Sequence, residues 1–128
     1  MAGIVAAGED PTFPRMAELP KVVFSSTLRP PLTWANTRLV GDDAVAAVGE
    51  LKERETLPMR TIGSFLLSRS LLRAGLVDRL RLMVFPLILG KSGRQRILDD
   101  LPDLDLTMVS ARTLDGRLQL LEYAPKAR

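Results

Sequence analysis

Short apolar runs that end in polar or glycine residues set the rhythm of this chain. Val22, Val23 and Phe24 follow Lys21 and run into Ser25, Ser26 and Thr27, the pattern of a buried strand that delivers its C-terminal end to a surface loop. Residues 37–40 repeat it before Gly41, with Arg29, Pro30 and Pro31 breaking the chain in between. From residue 42 the period changes. Asp42 or Asp43 stands where an N-cap belongs, Val45, Val48 and Leu51 lie close to one face, and Lys52 and Arg54 close the last turn, which predicts a helix to about residue 54. Residues 59–62, after Pro58, predict a third strand running into Gly63 and Ser64. A second helix follows over 64–74, with Leu67, Leu71 and Ala74 at i, i+4 and i+7 and Gly75 in the C′ position. Residues 79–85 form a fourth strand, Leu80, Leu82 and Val84 pointing one way and Arg81 and Met83 the other. Two more strands, 104–111 and 118–123, flank Leu114, Asp115 and Gly116, and the Asp-Gly pair signals a hairpin. The first twenty residues, with Pro11, Pro14 and Pro20, read as an irregular lead-in to a domain over 21–125. This order predicts an α/β fold: a mostly parallel sheet with flanking helices and a C-terminal antiparallel β-hairpin.

Composition narrows the chemistry. The 128 residues suit one globular domain, and 46% hydrophobic against 26% charged residues excludes disorder of the whole. The apolar run 82–89 is broken by Pro86 and is far shorter than the roughly 20 residues of a membrane-spanning helix. The N-terminus has no basic region and meets Glu9 and Asp10 early, so secretion has no support and a cytoplasmic, bacterial-type enzyme or module is expected. With no Cys and no His there is no thiolate nucleophile, no disulfide, no imidazole base and none of the usual zinc ligands besides carboxylates. What is left is chemistry that a cofactor performs, or none. A net charge of +3 and a pI near 9.8, without a basic block, point toward small anions; nucleic-acid binding rests on the pI alone.

Two places can hold an anion. At Gly63-Ser64, between a strand and a helix, the first-turn amides sit at the positive dipole end, and a residue without a side chain lets a phosphate approach. The same dipeptide also reads as a tight turn with a serine cap. Ser25, Ser26, Thr27 and Arg29 form the second place, several hydroxyls beside a guanidinium at a strand's carboxyl end, as a ribose phosphate needs; an ordinary polar loop looks the same. Side by side, the two loops would suit the pyrophosphate and 2′-phosphate of one dinucleotide. Gly90, Lys91, Ser92, Gly93 and Arg94 make a basic glycine-rich loop without the spacing of a triphosphate-binding motif, read as a flexible turn or as a segment that closes over a ligand. Trp34 reads as a local hydrophobic anchor, and Asp99, Asp100, Asp103 and Asp105 as a solvated acidic loop; no metal site is expected.

Lys21 to Leu28, Ile62-Gly63-Ser64, Gly75 to Leu80, Pro86 to Gly93 and Leu121-Glu122-Tyr123, in that order and spacing, resemble the dihydrofolate-reductase-like family, in the branch of the riboflavin-biosynthesis reductase C-terminal domain. The resemblance covers about residues 11–125. It implies NADPH lying across the strand ends and hydride transfer to a ribosylamino-pyrimidine or a pteridine. By position, Ser25, Ser26 and Thr27 match the loop on the adenosine 2′-phosphate side, and Gly63, Ser64 and the N–H of Phe65 match the turn that grips the pyrophosphate. The family often has Arg where Ser26 stands and a small residue where Phe65 stands; Arg29 offers a substitute charge three residues on. No catalytic side chain is assigned. The segments that carry substrate contacts in the family have no counterpart before Lys21, which leads to two expectations: a homo-oligomer that covers the open sheet, and a reductase whose turnover is in doubt. The alternative is a non-catalytic module that keeps the fold for nucleotide binding or self-association.

Overall fold

The computed structural model describes residues 12–128, in the order α1 (Thr12–Glu18), β1 (Lys21–Phe24), β2 (Thr37–Val40), α2 (Ala44–Arg54), α3 (Phe65–Arg73), β3 (Leu80–Val84), β4 (Leu104–Leu114) and β5 (Leu118–Ala127). The chain divides into two units, residues 1–53 and residues 54–128.

In the first unit β1 and β2 pair in parallel, from Lys21 opposite Thr37 to Phe24 opposite Val40. Residues 12–18, expected as irregular lead-in, are helical; residues 1–11 of that segment lie outside the described residues. Pro14 is no obstacle, because a proline in the first turn removes an N–H that has no helical partner there. The carbonyls at the other end of α1 are satisfied from the sheet. Lys21 Nζ donates to the carbonyls of Met16, Ala17 and Leu19 at 2.8, 3.0 and 2.6 Å, and Asn36 Nδ2 donates to those of Ala17 and Glu18 at 3.2 and 3.1 Å. Lys21 also lies 5.0 Å from the centroid of the Trp34 ring, and burial lowers its pKa from the ordinary lysine value. Trp34 is thus packed against the strand start, with its indole N–H buried and unpartnered among the described residues. Asp43 caps α2, its Oδ1 accepting from the amides of Val45 at 2.9 Å and Ala46 at 3.4 Å, and Leu51 on this helix is buried.

In the second unit the sheet is antiparallel throughout, in the order β3-β5-β4. The expected mostly parallel sheet is therefore corrected to a parallel pair in one unit and an antiparallel three-stranded sheet in the other. The reason is the connection: a hairpin forces antiparallel pairing, and β5, once paired with β4, takes β3 on its other edge. The turn is of the I′ kind, with Asp115 at φ 51° and Gly116 at φ 64° and the Arg117 amide donating to the Leu114 carbonyl at 3.0 Å. The hairpin strands run on to Leu114 and Ala127, past their expected ends. Val109 is an extra residue between Met108 and Ser110, a bulge opposite Tyr123 and Glu122. Directly paired residues share a face, so Leu80, Leu82, Leu121, Tyr123 and Met108 line one side, and Arg81, Glu122 and Ser110 the other. On that polar side Glu122 accepts from Arg81 Nε at 2.6 Å and lies 3.6 Å from Arg79 Nε.

The strand expected over 59–62 is absent. A strand exists by pairing, and among the described residues no strand lies beside this segment; its one side-chain tie is Thr61 Oγ1 to Ser68 Oγ at 3.1 Å. Helix α3 matches expectation at both ends. Ser64 caps the start, and Gly75, at φ 71°, allows a closing turn in which the Gly75 amide donates to Leu72 O and the Leu76 amide to Leu71 O, at 3.1 and 3.0 Å. Leu71 and Leu72 are the buried core of this unit. No helix among the described residues is long and apolar enough to cross a membrane.

Candidate functional site

The residues expected to hold an anion fall into two groups, one in each unit, and the two differ in how their polar groups are used. In the loop after β1, Ser25 Oγ accepts from the amides of Thr27 at 3.3 Å and Leu28 at 3.2 Å and lies 3.3 Å from Thr27 Oγ1. Arg29 Nη1 donates to the carbonyls of Ser26 and Leu28, both at 3.2 Å. Serine beside a short turn competes for backbone amides, which is why this segment folds on itself. Ser26, Thr27 and Arg29 stay exposed, and only Nη1 of the guanidinium is used in these bonds.

The turn before α3 is open instead. Gly63 has φ 87°, a conformation that side-chain-bearing residues rarely adopt, and it swings the chain into the helix without a Cβ in the way. Ser64 is extended at φ −97°, ψ 108°, and its Oγ accepts from the Leu67 amide at 3.2 Å. That leaves the amides of Phe65 and Leu66 without a partner among the described residues, at the positive end of a nine-residue helix. Both residues line a cavity of about 410 Å³, together with Gly63, Ser64, Arg69, Gln95 and Arg96.

Of the seven lining residues, the sequence points to Gly63, Ser64 and Phe65 and not to Leu66, Arg69, Gln95 or Arg96. Arg69 follows Phe65 by four residues and so lies on the same helix face, a signal that was available. Gln95 and Arg96 come from the stretch after β3, which no spacing ties to α3. They are brought there by folding: Arg73 Nη2 donates to the Asp100 carbonyl, holding this stretch against the end of α3. Arg96 Nε pairs with Asp99 Oδ2 at 3.2 Å, while Arg69 has no hydrogen bond or ion pair among the described residues. The loop that begins at Gly90 makes a single 3₁₀ turn, Gly90–Ser92, closed by Ser92 donating to Leu89 O, and its Lys91 and Arg94 do not line the cavity. The acidic residues are engaged singly, Asp99 with Arg96 and Asp105 with Arg128 at 3.7 Å.

A mixed α/β chain with a glycine turn opening onto a cationic cavity is suited to binding a phosphorylated ligand. The RibD C-terminal domain family matches residues 3–120, and the chain belongs to that family of reductase-like domains. A crystal structure of a protein from Shewanella sp. PV-4, described provisionally as a riboflavin biosynthesis protein, is similar in fold: the TM-score is 0.74 at 19% identity, over 97% of this chain and 67% of that one. No curated protein matches the chain.

Proposed function

We propose that this chain is an NADPH-dependent reductase domain acting in riboflavin biosynthesis, in a cytoplasmic setting, on a ribosylamino-pyrimidine such as 5-amino-6-(5-phosphoribosylamino)uracil; a pteridine is the related ring class. The observation that carries the reading is the cavity at the start of α3, which is lined by two first-turn residues whose amides have no partner among the described residues, by two arginines and by Gly63. These residues fit a dinucleotide's phosphates. The amides of Phe65 and Leu66 would donate to the pyrophosphate, and Gly63 would allow its close approach. Ser25, Ser26, Thr27 and Arg29 would serve the 2′-phosphate, Ser25 by holding the loop's shape and Arg29 by charge. When bound, the nicotinamide supplies the hydride, and the chain's own part is to orient it and exclude water. Isothermal titration tests the reading: NADPH is expected to bind more tightly than NADH, and no binding of either would remove it.

A specific observation favours a second property, self-association. Phe85, Leu87, Ile88 and Leu89 are all more than half exposed, Ile88 at 93%, in one run after β3, a larger apolar surface than isolated exposed residues make. A homo-oligomer that covers it is the expected state, and the non-catalytic module remains the alternative to the enzyme. A monodisperse monomer in light scattering would refute the oligomer, and NADPH binding without turnover on either substrate class would select the module.

A further inference from the structure

The cavity beside α3 carries two arginines that stand in different states. Arg69 is half-buried on the helix and has no partner among the described residues, whereas Arg96 is highly exposed and held by Asp99 at 3.2 Å. Gln95 and residues 63–66 line the same cavity. Two arginines on one cavity concentrate positive charge there, and a guanidinium fork matches phosphate oxygens in pairs. A carboxylate is the nearest chemical stand-in for a phosphate that a protein can supply.

We infer that Arg69 and Arg96 together bind a phosphate group in this cavity, and that Asp99 is a built-in competitor which occupies Arg96 until that phosphate displaces it. The inference rests on the phosphate-binding reading of the cavity above, and adds to it which side chains provide the charge and how occupancy is restrained. Arg69 is fixed by its helix and defines the site, so it sets affinity directly. Arg96 must exchange one anion for another, so part of its attraction is already spent on Asp99. An exposed ion pair is weak enough for such an exchange. Removing the carboxylate should therefore strengthen binding, an effect opposite in sign to removing either arginine, and one that a merely structural role for Asp99 would not produce.

Titration of the full chain with inorganic pyrophosphate and, separately, ribose 5-phosphate tests this, the first standing for a dinucleotide's bridge and the second for a phosphoribosyl group. Tighter pyrophosphate assigns the cavity to the bridge, tighter ribose 5-phosphate to the sugar phosphate, and either order upholds the phosphate site. With the tighter probe, Arg69→Gln and Arg96→Gln are each expected to weaken binding by at least about tenfold, the scale of a lost charge-assisted hydrogen bond. Asp99→Asn is expected to tighten it by about twofold to fivefold, the scale of an exposed ion pair. The side chains of Arg96 and Asp99 are 84% and 42% exposed, so these two variants should melt as wild type does and leave the test readable even where Arg69→Gln does not fold. Unchanged affinity in Arg96→Gln, or unchanged or weaker affinity in Asp99→Asn, overturns the inference. If NADPH fails to bind while pyrophosphate follows the expected order of variants, the dinucleotide reading falls and this one stands. If NADPH binds equally to wild type and Arg96→Gln, the reverse holds.

Discussion

The loop after β1 and the turn before α3 carry similar residues, hydroxyls near an arginine at the end of an extended segment, yet they spend them differently. Ser25 and Arg29 are committed to their own loop's amides and carbonyls, so the loop folds on itself. At the second place Ser64 takes one amide, and those of Phe65 and Leu66, like the Arg69 side chain on the same cavity, have no partner among the described residues. The difference comes from backbone geometry. A serine followed by a short turn closes on itself, whereas a helix start always leaves more amides than one cap can satisfy. A polar sequence therefore says little about availability until its hydrogen bonds are counted.

Four substitutions break or sharpen that contrast, in falling order of effect. Gly63→Val forces a β-branched residue into φ 87° at a residue that lines the cavity, so NADPH affinity should fall on the order of a hundredfold, the scale of one or two charge-assisted hydrogen bonds. Titration checks it, and wild-type binding would reduce Gly63 to a turn residue. Arg29→Ala should weaken NADPH by about tenfold and leave NADH unchanged, because the loop's exposed guanidinium is read as the partner of the 2′-phosphate. Equal losses for both cofactors would deny it that role. Ser64→Ala should lower stability by about 1 kcal/mol in urea unfolding through the lost cap, with little change in affinity, since the amides read as phosphate donors, those of Phe65 and Leu66, are not the one that Ser64 holds. Ser25→Ala should lower it least, by about 0.5 kcal/mol, because the loop is near solvent and water can replace the bonds. A larger loss than in Ser64→Ala would mean that the loop supports more of its unit than its own bonds suggest.

What could be read from the chain in advance was whatever depends on near neighbours. The Asp115-Gly116 turn, the caps at Asp43 and Ser64 and the glycine end at Gly75 are each decided within a few residues, by backbone conformations that glycine, aspartate and serine favour. The helix over residues 12–18 was obscured by its proline, because the signals that rescue it, Lys21 and Asn36 on its last carbonyls, act from beyond its own end.

Local conformational preference and apolar period suffice for the positions of most helices and strands, the hairpin and the glycine turn at residue 63. They do not suffice for the absence of a strand over 59–62, for a second unit whose sheet is antiparallel throughout, or for Gln95 and Arg96 lining one cavity with the start of α3. Each of those depends on which partner a segment meets in space: strand pairing and convergence of charges are properties of two segments at once, and the composition of either one alone does not contain them.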